Sequence, residues 1–323
     1  MPASTHPRLT LMLWASALCA CGGGSSQPAP PAPVLTLPNE AVLTVSTAAL
    51  ALASSGQSRD FVITNVGEHV AHDLTVSGVA ALPPGSALNS DCSTLAPAAS
   101  CTLTVTPGAM PTSAPGDRAP QPVALTLTGS NTPALLLHVW VLGPGSVYQG
   151  GFVFDLDDTP PLTSSVGGKV LALEDATPDT VRWGTANTPT SNTDGALNTT
   201  HMVNATGLPG DPDRPYSAWA CDAHDGDGHD AWYLPAICEW GYDRDGRGSG
   251  CGTAAAPTMN NIASQILDKG VDAGPFRHVE YWSSTGSQTD VWVQVFGPGI
   301  PAAQVTTFPS GIQGVRCARA ITR

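Results

Sequence analysis

The chain of 323 residues carries 13 Lys and Arg against 26 Asp and Glu, a formal net charge of −13. That sign disfavours nucleic acid and anionic surfaces as partners, because both are bound by excess positive charge. With 12 % charged residues, 34 Gly and 30 Pro, the composition favours turns and short strands over long helices, and the length suits about two domains of ~150 residues.

Residues 1–20 have the layout of a secretory signal: His6 and Arg8, then the apolar Leu9, Leu11, Met12, Leu13 and Trp14, then small residues. The stretch is too short to span a membrane stably. Leu18-Cys19-Ala20-Cys21 resembles the bacterial lipobox, which implies cleavage after residue 20 and a lipid anchor on Cys21. The competing readings are an ordinary cleaved signal, or a structural pair of Cys19 and Cys21. Gly22 rather than Asp follows the cysteine; by the usual sorting pattern this points to the outer membrane, with the periplasmic face and the cell surface both open. Residues 21–33, rich in Gly, Ser and then Pro, read as an extended tether.

From 34 to 145, short apolar runs near 42–46, 61–64 and 74–77 recur between Gly, Pro and Asn breaks, the spacing of a β-sandwich. The clearest strand is Cys101-Thr-Leu-Thr-Val-Thr, whose alternation puts Cys101, Leu103 and Val105 on the core face. Residues 123–128 repeat the pattern. The phrase resembles the late strands of bacterial immunoglobulin-like repeats, which implies a display module without chemistry of its own.

After Gly143-Pro-Gly-Ser the character changes, and 146–323 reads as a second domain with strands near 151–155 and 170–174. Helices are expected at 196–205, at 259–269 with Gly270 as the stop, and at 235–242, where Pro235 suits a first turn. Six cysteines remain beyond Cys21 and Cys19, an even number suited to disulfides in an exported chain. The expected pairs are Cys92 with Cys101, Cys238 with Cys251, and Cys221 with Cys317, although the last four cysteines allow three connectivities.

The acidic loop Asp222-Ala-His-Asp225-Gly-Asp227-Gly-His229-Asp230 is a candidate calcium site through Asp222, Asp225, Asp227 and Asp230, since closely spaced carboxylates separated by glycines suit that ion. It misses the EF-hand pattern, and the alternative is a solvated acidic turn. No other cofactor is expected. Ser283, Ser284 and Thr285 have no Gly-x-Ser-x-Gly context and read as hydroxyls bonding a turn, not as nucleophiles.

An ordered set of phrases carries a family resemblance: Tyr148-Gln-Gly-Gly-Phe-Val-Phe, Gly168-Lys-Val-Leu-Ala, Val181-Arg-Trp-Gly, Asn192-Thr-Asp-Gly-Ala-Leu-Asn-Thr, Asp230-Ala-Trp-Tyr-Leu-Pro-Ala, Tyr281-Trp-Ser-Ser-Thr and Gly314-Val-Arg-Cys-Ala-Arg-Ala. Together they resemble the Lcl C-terminal domain, also called DUF1566. The resemblance implies an α+β domain similar to the C-type lectin fold, found in surface proteins and associated with adhesion and glycan binding, and it implies no catalysis. The Glu-Pro-Asn or Gln-Pro-Asp phrase of calcium-dependent lectins is absent.

The whole chain is thus expected to be a mostly β, non-enzymatic lipoprotein, with an immunoglobulin-like sandwich followed by a lectin-like domain. Its expected partner is a neutral glycan or a surface protein, met through Trp219, Tyr242, Trp292, Arg244 and Arg247, and it touches membrane through its anchor alone. The alternatives are a structural envelope lipoprotein without ligand, or an enzyme related in fold to formylglycine-generating enzymes, whose chemistry relies on a cysteine pair.

Overall fold

The computed structural model describes residues 39–159, 164–184, 191–210, 215–287, 289–297 and 300–322. The expected signal segment, the expected lipidation site Cys21 and the expected tether lie outside them. Among the described residues no helix is long and apolar enough to cross a membrane.

The first eight strands are β1 (Leu43–Val45), β2 (Ala49–Ala53), β3 (Arg59–Asn65), β4 (Thr75–Ser77), β5 (Ala87–Ser90), β6 (Ser100–Thr106), β7 (Val123–Gly129) and β8 (Thr132–Leu142), with burial alternating most regularly along β3, β6 and β7. They form two four-stranded sheets, in the orders β1-β3-β6-β5 and β2-β8-β7-β4. As expected, Cys101, Leu103 and Val105 are buried, and so are Val123, Leu125 and Leu127. The inward rows of both sheets, including Phe61, Ile63, Leu50, Leu137 and Val139, share one apolar core, because period-two alternation gives each strand one dry face. The neighbours are antiparallel except β2 and β8, which run parallel from Ala49 opposite His138 to Ala53 opposite Leu142. Cys92 is bonded to Cys101 at the start of β6.

The remainder holds β9 (Val147–Tyr148), β10 (Gly151–Asp157), β11 (Gly167–Ala172), β12 (Val181–Arg182), α1 (Gly195–Thr206), α2 (Ser217–Asp222), α3 (Ile237–Trp240), β13 (Glu280–Ser287), β14 (Asp290–Gly297), β15 (Ile300–Thr307), β16 (Ile312–Gln313) and β17 (Ala318–Ala320). Its sheets are β17-β11-β10-β9, β13-β14-β15 and the pair β12-β16. Asp194 caps α1 by accepting the Leu197 N–H at 2.9 Å, and Gly207, at φ 75°, ends it.

The other two expected helices are shorter than their periodicity suggests. Over 259–269 only Ala263–Leu267 is helical, as a π-type turn. There the Asn261 side chain accepts the Ser264 N–H at 2.8 Å, and Asp268 N–H reaches back to Ala263. Over 235–242 a single turn forms, stopped by extended Gly241, where a Cβ would stand 2.9 Å from the Gln294 side chain. Cys221 is bonded to Cys317, and Cys238 to Cys251; the first ties the end of α2 to the segment before β17.

Gly143 to Ser146 is no open linker. Gly143, Gly145 and Ser146 are buried, the Gly145 N–H donates to Val153, and the Gly116 N–H donates to Gly145. Across the junction Ala51 exchanges hydrogen bonds with Ser164 and Val166, Arg59 pairs with Asp158 at 3.0 Å, and Ala51, Ala53 and Leu142 pack on Val166. Leu37–Arg323 is accordingly one compact unit.

Candidate functional site

Where the two parts meet, a cleft of about 430 Å³ opens. From the sandwich it takes Arg118 to Gln121 and Trp140; from the remainder it takes Val147, Tyr148, Gln149, Leu173, Asp227 and His229. Trp140 and Tyr148 are half-buried and meet edge to face, with ring centroids 5.7 Å apart, the preferred approach of two quadrupoles. Alternation explains Trp140: Leu137, Val139 and Val141 fill the core, so Trp140 stands on the opposite face of β8.

The cleft walls are fixed by hydrogen bonds. Arg118 donates to the Leu173 carbonyl at 3.0 Å, lies 3.7 Å from Glu174 and sits 5.7 Å from the Phe152 ring. Gln149, held at φ 46°, accepts from Arg319 at 3.0 Å and from the Thr322 N–H at 2.9 Å on its side-chain oxygen, while its amide donates to the Thr322 carbonyl at 3.0 Å. Next to it Gly150 has φ +79°, and a Cβ there would come within 2.9 Å of the Gly226 carbonyl. Only glycine lets the acidic loop approach this closely.

Behind the cleft, buried Arg319 lies over the Trp232 ring. Burial lowers the pKa of its guanidinium, against the pull of Asp230. Burial also lowers His229, Arg319 adds to that, and Asp227, Asp230 and Asp225 oppose it. His224, edge-on to Trp232 at 5.3 Å, is lowered by burial and partly restored by Asp225. The cleft thus presents the Trp140 and Tyr148 rings, the His229 imidazole, the amides of Gln121 and Gln149, the Asp227 carboxylate and the Arg118 guanidinium: one acid and one base beside aromatic faces, a surface suited to a hydrogen-bonding ligand with an apolar face.

The residues anticipated from sequence are dispersed. Of the acidic loop, Asp227 lines the cleft beside His229, whereas Asp222, Asp225 and Asp230 are exposed outside it. Among the described residues the set of three potential ligand atoms lying within 4.8 Å of one another is Asp91, Cys92 and Cys101, whose sulfurs are bonded to each other. The four loop carboxylates do not gather: Gly226 pairs with His229 about a turn with Asp227 at φ 57° and Gly228 at φ 72°, which makes a hairpin instead of a wrap around one centre.

Tyr242 and Trp292 are corrected to core residues. Tyr242 is buried and donates to Asp268 at 2.9 Å, and Trp292 packs on Ile237 and the Cys238–Cys251 bridge. Trp219 is half-buried against a different cluster, so the three form no common surface. Arg244 and Arg247 are exposed on a turn held by Asp243, outside the cleft lining, with Arg247 3.8 Å from Asp245. Ser283, Ser284 and Thr285 are fully buried: Ser283 donates to the Trp292 carbonyl, Ser284 accepts from Asn198, and Thr285 donates to Ser191. Cys317 is held in its bridge to Cys221.

No family model matches the chain, and no curated protein matches it. Solved structures with partial likeness include S-layer protein SbsC domains 4 and 5, at 14 % identity and TM-score 0.22 over 31 % of this chain and 51 % of that one. Surface layer protein SbsC domains 4–9 aligns at 17 % identity and TM-score 0.22, over 46 % and 23 %. A Bacteroides ovatus GH5 xyloglucanase in complex with a XXXG heptasaccharide aligns at 13 % identity and TM-score 0.22, over 49 % and 33 %. The chain thus spans about half or less of the length of each, and likenesses at these scores carry no argument.

Proposed function

We propose that the chain is a non-catalytic envelope lipoprotein, anchored through Cys21 in the outer membrane, that binds a neutral glycan in the cleft. In this reading the two-sheet part is an immunoglobulin-like sandwich and the remainder a C-type-lectin-like domain akin to the Lcl C-terminal family. The observation that carries it is the Trp140–Tyr148 pair, half-buried in an open cleft beside Gln121, Gln149 and Asp227. Sugar rings offer apolar C–H faces with hydroxyls at their edges, and aromatic platforms with planar polar groups at the rim complement both. A net charge of −13 argues against sulfated or otherwise anionic chains.

The test is a glycan array on the chain from Gly22 onward, without lipid, run in calcium and in chelator. Neutral glycans are expected to bind, with Trp140→Ala losing about tenfold or more in affinity and chelator having no effect. Strong, salt-sensitive binding to sulfated glycans, or binding indifferent to Trp140→Ala, would overturn the reading.

A further inference from the structure

Trp140 does not stand alone on its face of β8. The same alternation that sends Leu137, Val139 and Val141 into the core turns Leu136 and His138 outward in line with it. Leu136 is 51 % exposed, and His138 is half-buried. Register sets small side chains along both flanks of this row: Ala49 lies opposite His138 in β2, while Ala124 and Thr126 lie opposite His138 and Leu136 in β7. Further out, the hydroxyls of Thr75 and Thr128 meet at 3.5 Å.

The result is a raised row of Leu136, His138 and Trp140 between two low shoulders, with hydroxyls on the β7–β4 side and no Asp, Glu, Lys or Arg. The C-terminal part covers this face at one end, where Ala51, Ala53 and Leu142 pack on Val166. Trp140 sits at the margin of that contact and also lines the cleft. Row and cleft are therefore continuous through Trp140. Alternate residues of a strand stand about 6.6 Å apart, so Leu136 to Trp140 extends the cleft by about 13 Å.

We propose that the cleft is the closed end of a longer track along β8, and that the ligand is a linear, uncharged oligosaccharide several units long, not a single sugar. The inference rests on the glycan reading of the cleft. A row of two rings and one aliphatic side chain, free of carboxylate, ammonium and guanidinium groups, fits a repeating chain whose units each offer an apolar face, and the flanking alanines leave room for its hydroxyl edges. A peptide would instead find few side-chain pockets on so shallow a face.

The experiment is titration of the chain from Gly22 onward with neutral gluco-oligosaccharides of two to six units, of both β-1,4 and α-1,4 linkage. For the linkage that binds, affinity is expected to rise about tenfold or more from two units to six. Leu136→Asp is expected to bring the six-unit affinity down to the two-unit level, and His138→Asp serves the same purpose should the first variant fold poorly. Six units binding no tighter than two, or a length gain that survives both variants, would overturn the track while leaving the cleft reading intact. If no oligosaccharide binds, the cleft reading fails first. Binding of a neutral unstructured peptide in place of every sugar would overturn both in favour of a protein partner.

Discussion

Among the described residues four tryptophans are fully buried, and each indole N–H reaches a backbone carbonyl: Trp183 to Ser283, Trp232 to His229, Trp240 to Trp282 and Trp282 to Val181. An unmet buried donor would cost about 1–3 kcal/mol each, so these rings both fill and cross-link the interior. Buried charge is handled largely the same way, with Nη1 of Arg316 and Nε of Arg319 left without a hydrogen-bond partner. Glu239 accepts from Lys169 at 2.6 Å, Tyr233 at 3.0 Å and the Ala236 N–H at 2.8 Å, yet burial still raises its carboxyl pKa. Gly195 is required beside it, since a Cβ would overlap the carboxylate. Arg316 donates to the Ala172, Leu173 and Ala273 carbonyls over the Phe276 ring, and although burial lowers it to about 10 it stays cationic at neutral pH. The histidines of the acidic loop set a pH dependence. Because His224 and His229 are lowered in the fold, the unfolded chain, with histidine near 6.5, binds protons more readily below that pH. Thermal stability is therefore expected to fall as the pH drops from about 7.5 to 5.5, and His224→Gln is expected to reduce the slope. An unchanged slope in parallel melts would show that the loop histidines do not govern it.

At the scale of elements, the three bridges differ in what they hold. Cys221–Cys317 spans 96 residues, Cys238–Cys251 spans 13 and Cys92–Cys101 spans 9. By loop-closure entropy the long bridge contributes about 4–5 kcal/mol and each short one about 3. Paired Cys→Ala variants are expected to rank in that order in denaturant midpoint, and a short bridge proving the most costly would count against the entropic account. The Cys92–Cys101 pairing was legible in the sequence, whereas the other four cysteines left three connectivities open; β6 and β7 were legible too, where alternation alone identifies the core face, and so was α1, whose boundaries Asp194 and Gly207 mark. What was not legible depends on tertiary contact. Ser217–Asp222 is too short to show a period. The apolar spacing of Ile262 and Ile266 fits an α-helix as well as the π turn that forms, and Asn261 decides between them locally. Tyr242 and Trp292 look like surface aromatics until Asp268 and the Cys238–Cys251 bridge close over them. Trp140 and Tyr148, eight positions apart, carry no spacing signal, since the docking of two sheets brings them together. The outward alternation of Leu136, His138 and Trp140 was the one available clue.

Over the whole molecule, the junction makes the two parts interdependent. Arg59–Asp158, the Ala51 bonds to Ser164 and Val166, and the buried Gly143–Ser146 turn leave no exposed hinge of the kind that proteases select. Calorimetry is expected to show one cooperative transition, with residues 143–146 resistant to limited proteolysis; two resolved transitions, or an early cut at that turn, would refute the coupling. The parallel pairing of β2 with β8 has a mechanical meaning as well. Were the chain held upstream of β2 and pulled through the segment that follows β8, these two parallel strands would be drawn in opposite directions along their length. The ladder from Ala49–His138 to Ala53–Leu142 is then loaded in shear, with all its hydrogen bonds strained together, and not opened one at a time as a zipper. A ladder loaded in this way resists up to a high force and then yields abruptly.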